Sequence, residues 1–253
     1  MELIDTHCHL NFAPLIGRVD NVIRRAAKRE VTRIIVPAYD TASFAPITAL
    51  SQRPGIYAAL GIHPWVADQP ASREALIHHL TASRAVAVGE IGLDFKVDVD
   101  RTRQQAVLEM QIEVALALHL PVILHVRGAF DEMHATLKRW DPTPSGVVHA
   151  FSRGPAQAAR FLDLGLHLAF GGAITHPRAT RAQQAAKSVP LEKIVLETDA
   201  PSIGLDGVAP VDVEPAHVAD VAAALAQIRG ESIETIAEVT TRNACRLFDL
   251  EPP

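Results

Sequence analysis

The chain has 253 residues, 48% hydrophobic and 21% charged, a composition that excludes disordered and collagen-like classes. Its 24 Lys and Arg against 29 Asp and Glu leave a net charge of −5. That balance argues against tight, extended binding of a nucleic-acid duplex, though not against a chain end held in a pocket.

Two cysteines, Cys8 and Cys245, make no disulfide framework and point to a reducing compartment. Glu2, Asp5 and two histidines interrupt the first ten residues, where a signal peptide needs a basic and then an apolar run. The apolar stretch around Val114 to Val126, broken by His119, Pro121 and His125, is too short for a membrane span of about 20 residues. The expectation is a single domain over residues 1–253, cytoplasmic and without a membrane partner.

In chain order, strands are predicted at Leu3–Asp5, Arg33–Val36, Ile56–Leu60, Ala85–Gly89, Val122–His125, Val147–His149, His167–Phe170 and Ile194–Glu197. Amphipathic stretches lie between them. The clearest is Arg101–Leu118, where Val107, Met110, Val114 and Leu118 recur at helical steps. Pro201–Glu214 reads as a long loop. Two helices follow over Pro215–Leu250, with Gly230 as a stop and Ser232 as a cap. Parallel neighbours need crossover connections, so eight strands separated by helices in about 250 residues predict an α/β fold, a (β/α)₈ TIM barrel. A doubly wound open sheet is the competing architecture.

Polar residues gather at the predicted strand ends. His7 and His9 are two apart on an extended segment, so both imidazoles project to one side. Glu90 follows a buried run and must sit at the rim, pair with a cation or bind a metal. His125, His149 and Asp199 end strands five, six and eight. Alone, each such histidine is more often structural. A barrel, however, brings all strand C-termini to one mouth. Each unmet buried polar group there would cost about 1–3 kcal/mol, and divalent ions remove that cost by coordination. Imidazoles and carboxylates without thiolate suit first-row ions more than an all-oxygen magnesium site. Six protein ligands exceed one catalytic zinc, so the expected cofactors are two divalent metal ions (zinc, manganese or magnesium) bridged by one carboxylate.

At these residues the sequence resembles the TatD family of metal-dependent deoxyribonucleases, within the amidohydrolase superfamily. The likeness runs through Ile4–Leu10, Leu60–Pro64, Gly89–Asp94, Leu120–His125, His149–Ser152, Leu196–Pro201 and Asn243–Phe248. Gly146–His149 and Gly171–Ala179 are similar to its YjjV-like branch. The resemblance implies one metal on His7, His9, Glu90 and Asp199, and a second on Glu90, His125 and His149. It also implies that His63 and Asp94 stand in or near the pocket. Two departures put substrate choice in doubt: Arg153 stands where the family has glycine, and Ser202–Gly207 replaces its usual aromatic and Thr-Pro pattern.

The chemistry expected is hydrolysis by a water whose pKa the two cations lower, with Glu90 as the bridge and Asp199 as the general base. Arg127 and Arg153 are candidates to hold a phosphate through a planar fork; surface ion pairing is the alternative for both. Cys8, between two ligands, reads as packing, and Glu197 as orienting a ligand histidine. Phe95, Trp65 and Phe151 lie close to motifs and read as packing residues, although an exposed aromatic there would stack a base. The favoured partner is a single-stranded DNA end, as the resemblance implies. The alternatives are a small ester, lactone or amide, including an aminoacyl-tRNA ester, and a non-catalytic metal-binding barrel.

Overall fold

The computed structural model describes residues 2–252. Its eight strands are β1 (Leu3–Asp5), β2 (Val31–Pro37), β3 (Ile56–Ala59), β4 (Val88–Asp94), β5 (Val122–Arg127), β6 (Gly146–Val148), β7 (His167–Phe170) and β8 (Ile194–Leu196). Every strand pair is parallel, in the order β1-β2-β3 and β4-β5-β6-β7-β8. Two seams join these sheets. Between β3 and β4, Ala59 bridges Ala87 in parallel, and the Gly89 amide donates to Leu60 O at 3.1 Å. Between β8 and β1, the Thr6 amide donates to Leu196 O and the Asp199 amide to His7 O, and Cys8 bridges Ala200. The result is a closed (β/α)₈ barrel.

Between successive strands run α1 (Val19–Ala27), α2 (Phe44–Leu50), α3 (Arg73–Ser83), α4 (Arg101–Leu118), α5 (Phe130–Lys138), α6 (Pro155–Leu162) and α7 (Thr180–Ser188). Two helices follow β8: α8 (Val218–Arg229) and α9 (Ile233–Leu247). Gly230, left-handed at φ 70°, ends α8, and the Ser232 hydroxyl caps α9 by accepting the Thr235 amide.

The strands are apolar on both faces because both are covered. Ile4, Ile35, Ala59, Ala87, Ile123, Val147, Ala169 and Val195 form one buried cluster, one residue from or beside each strand. Their neighbours in sequence, such as Val122 and Leu124 or Leu168 and Phe170, belong to a second cluster with the helices. The barrel interior is thus the first set, closed at the bottom by Ala244, Cys245, Phe248 and Leu250. Small residues are required where strands crowd. A Cβ on Gly89 would lie 2.7 Å from the Ile123 Cβ.

One predicted strand moves. The fourth begins at Val88 rather than Ala85 and runs to Asp94. After an irregularity between Val88 and Ile91, residues Ile91–Asp94 pair in register with Leu124–Arg127, and all seven β4 residues are buried. Ladder pairing therefore carries two carboxylates into the strand itself.

The loop after β8 is fastened rather than loose. Leu205 and Val208 exchange backbone hydrogen bonds around Gly207, and Glu214 accepts two hydrogen bonds from the Arg25 guanidinium at 2.6 and 2.7 Å.

Candidate metal centre

Side chains two residues apart on a strand share a face. Ile123, Val147 and Val195 point into the barrel, so His125, His149 and Glu197 continue that interior face into its upper mouth. β4 contributes Glu90, and the chain beyond β1 contributes His7 and His9. Asp199 follows β8 with a left-handed backbone at φ 51°, as does Ala150 after His149 at φ 48°. Such conformations cost on the order of 1–3 kcal/mol in non-glycine residues and persist where neighbours fix them. At Asp199, the amide donates to His7 O, and the carbonyl accepts from the Ser202 and Ile203 amides.

The two oxygens of Glu90 face different histidines. Oε2 lies 3.3 Å from His7 Nε2 and 3.6 Å from His9 Nε2. Oε1 lies 2.8 Å from His125 Nδ1, 2.8 Å from His149 Nε2 and 3.3 Å from His63 Nε2. Asp199 Oδ1 completes the first group, 3.7 Å from His7 Nε2 and 3.5 Å from His9 Nε2. His7 Nε2 and His9 Nε2 are 3.3 Å apart.

The spacings of the first group fit a metal better than a hydrogen-bond network. Ligand atoms about 2.0–2.2 Å from a tetrahedral cation stand roughly 3.4 Å from one another. The first group is spread at that scale, and its donors are imidazole and carboxylate lone pairs. The Nδ1 atoms of His7, His9 and His149, and Glu197 Oε2, are buried without a hydrogen-bond partner. The second group is drawn to hydrogen-bond distances around Glu90 Oε1. Convergent triplets are His7, His9 and Glu90; His7, His149 and Glu197; and His63, Glu90 and His125.

His63 stands apart chemically. Its Nδ1 accepts the Trp65 amide at 3.2 Å, which places the ring proton on Nε2, so it presents a donor rather than a lone pair to the centre.

The electrostatics are those of a coupled cluster. Burial alone would raise the Glu90 carboxyl, but His149, His63, His7 and His125 outweigh it and hold it well below the usual carboxylate range. Burial likewise opposes charge on His149, yet Glu90 and Glu197 push that imidazole well above its ordinary value. For His125, burial is overcome by hydrogen bonds to Asp94 and Glu90, again a rise. At His7 burial wins and, with His149, lowers it. Asp199 lies low because His9 and His7 outweigh its burial.

Below the centre, Asp5 ties the barrel seam. Its carboxylate accepts the Thr198 amide at 2.9 Å and the Thr198 hydroxyl at 2.6 Å, while burial pushes it up to about 8.

A pocket of about 380 Å³ opens over the cluster, lined by His9, His63, Glu90, His125, His149 and Asp199 together with Phe12, Tyr39, Trp65, Arg127, Ser202 and Ile203. All six expected ligands therefore converge, with His63 beside them and Arg127 on the wall. Asp94 is fully buried behind that wall, where it accepts the Trp65 indole N–H at 2.6 Å. Arg153 is exposed, lies over the Phe130 ring at 5.0 Å and is not among the residues lining this pocket. Cys8 is buried in the core, and Glu197 Oε1 lies 3.8 Å from His149 Nδ1 while accepting the Ala150 amide.

Phe12 and Tyr39 were not expected at the mouth, and Trp65, a stacking candidate that read as packing, stands there exposed. Tyr39 could have been found from its place just past β2, the strand-end position that yielded the histidines; Phe12 and the Trp65–Asp94 bond leave no such signal.

A family model described as TatD related DNase matches residues 4–249. The metal-dependent hydrolase YjjV of Escherichia coli (strain K12) is 41% identical over 255 residues, covering 98% of both chains. The crystal structure of YjjV, a TatD homologue, superposes with a TM-score of 0.91 at 37% identity over 98% of each chain. A TatD family hydrolase of Entamoeba histolytica matches with a TM-score of 0.87 at 19% identity, covering 98% of both chains, a likeness of fold.

Proposed function

The chain belongs to the TatD-related DNase family, and from that premise we propose that it is a divalent-metal-dependent hydrolase cleaving phosphodiester bonds at single-stranded DNA ends. It works as one domain over residues 1–253 in the cytoplasm, in keeping with two free, buried cysteines. No described helix is long and apolar enough to cross a membrane.

In this reading His7, His9, Glu90 and Asp199 would hold one ion, and Glu90, His125 and His149 a second. Zinc, manganese and magnesium are the candidates, with the imidazoles favouring zinc and the carboxylates suiting manganese or magnesium. Bound divalent ions supply Lewis-acid polarisation of the phosphoryl group and lower the pKa of water. The chain does the rest. Asp199 faces His7 and His9 through Oδ1, and its second oxygen takes the proton of the attacking water. His63 offers its Nε2–H to a substrate oxygen. Arg127, its side chain 60% exposed on the pocket wall, grips a phosphate through its fork.

The observation that carries this reading is the division of one buried carboxylate, Glu90, between two sets of histidines. The test sets end-labelled single-stranded DNA beside a panel of esters, lactones, amides and aminoacyl-tRNA. Turnover of the DNA is expected, and Asp199→Asn should lower it by about 10²–10⁴-fold, the usual worth of a general base. Turnover confined to the ester panel would replace the nuclease reading with the carbonyl one. Full activity in Asp199→Asn would remove the base role.

A further inference from the structure

We propose that Trp65 and Arg127 form the subsite for the nucleotide next to the cleaved bond, with its base stacked on the indole and its phosphate in the guanidinium fork. The assignment rests on the deoxyribonuclease reading above and names what selects the substrate within it.

Among the described residues, the large exposed hydrophobics are Ile16, Val211 and Trp65, and of these Trp65 lines the pocket. It is 42% exposed yet fixed at both ends. Its backbone amide donates to His63 Nδ1 at 3.2 Å within a turn that begins at Pro64. Its indole N–H donates to Asp94 Oδ2 at 2.6 Å, and Asp94 is fully buried. The rings around it, Tyr39, His63 and His125, meet it edge-on at 81°, 89° and 78°, so no ring is stacked on it. A rigid, wet aromatic loses little freedom on binding, which is what a stacking platform needs.

The other aromatics are already engaged. Phe12 stacks on His9 at 4.7 Å, and Tyr39 on His63 at 5.3 Å. Phe95 lies under the Arg101 guanidinium, and Phe151 is buried.

Arg127 completes the pair. Its guanidinium lies 3.8 Å from the same Asp94 oxygen that holds Trp65, and that oxygen is also 3.3 Å from His125 Nε2. One carboxylate thus ties base platform, phosphate fork and metal-site histidine to common coordinates. At 3.8 Å, with the guanidinium 60% exposed, this long contact leaves the arginine available to a phosphate. Asp94 is then a positioning residue.

The chain has two tryptophans, so Trp140→Phe leaves Trp65 as the sole indole reporter. The probes are a thymidine pentanucleotide and the same chain made abasic, each added to metal-loaded protein while fluorescence and hydrolysis are followed. The base-bearing chain should quench Trp65 and bind about 5- to 150-fold tighter than the abasic one, the range that stacking supports. In Trp65→Ala the ratio of kcat/KM for the two chains should fall towards one. Trp65→Phe, which keeps an aromatic face but loses the Asp94 bond, should retain part of it. Arg127→Ala should weaken both chains alike. Equal binding of the two chains by the Trp140→Phe protein, or an undiminished ratio in Trp65→Ala, would overturn the subsite. Hydrolysis without base preference would do the same while leaving the nuclease reading intact. Base-dependent quenching without hydrolysis would keep base stacking on Trp65 and overturn the nuclease reading instead.

Discussion

Glu90 is the residue on which the site turns. A carboxylate inside a strand of an apolar barrel is tolerated only where charge partners surround it, and here both oxygens are shared among histidines. Glu90→Gln keeps the shape and removes the charge that both proposed ions share. Metal analysis should then find fewer than half the ions bound by the unmodified protein; undiminished content would show that Glu90 is no bridge. Five of the six candidate ligands were readable because they lie near or just past a strand end, where pattern and fold class together fix the side-chain direction; Glu90, inside β4, stood out as a carboxylate following an apolar run. Arg153, four residues past His149, lies over Phe130 rather than among the pocket-lining residues, because closeness in sequence within a loop does not fix where a side chain goes. Trp65 was legible as a residue near a motif but not as an exposed one, since its exposure depends on a buried acid from another strand.

At the scale of elements, α4 occupies the predicted Arg101–Leu118 and the two C-terminal helices meet at Gly230 as expected, because periodicity and caps are local signals. The fourth strand was misplaced because its pairing with β5 is not local. The bottom closure was equally invisible: Phe248, buried just past α9, fills the barrel below Ile4, Ile123 and Val195. Phe248→Ala should cost about 3–5 kcal/mol, read as a lower urea midpoint at unchanged slope. A loss below about 1 kcal/mol would mean that the plug is not part of the core.

His167, at the start of β7, supplies a pH signature away from the metal centre. Burial, with Lys193 nearby, lowers it to about 4. The unfolded chain takes up its proton near pH 6.5 and the folded chain only near 4, so folded stability falls as pH drops through that window. Allowing for its partial exposure, the loss between pH 7 and pH 5 is about 1 kcal/mol. His167→Gln should flatten that part of the stability profile; an identical slope would assign it elsewhere.

For the whole molecule, closure is what turns scattered polar residues into one site. β1 and β8 meet through Thr6, Asp5 and Thr198, which sets His7 and His9 beside Asp199. The net charge of −5 suits a pocket that takes one chain end rather than a surface that clamps a duplex. Because binding to the folded state alone adds stability, manganese or zinc at about 100 times its dissociation constant should contribute about 2.7 kcal/mol. In a chain of this size that raises Tm by roughly 5–10 °C. A chelator should reverse the shift, and equal Tm values in chelator and metal would contradict coordination by the folded mouth.

The most direct measurement is anomalous diffraction from crystals soaked in manganese or zinc. Two peaks are predicted in the barrel mouth, one touching Glu90 Oε2 with His7, His9 and Asp199, the other touching Glu90 Oε1 with His125 and His149. A single peak, or peaks out of reach of Glu90, would contradict a carboxylate-bridged pair of ions.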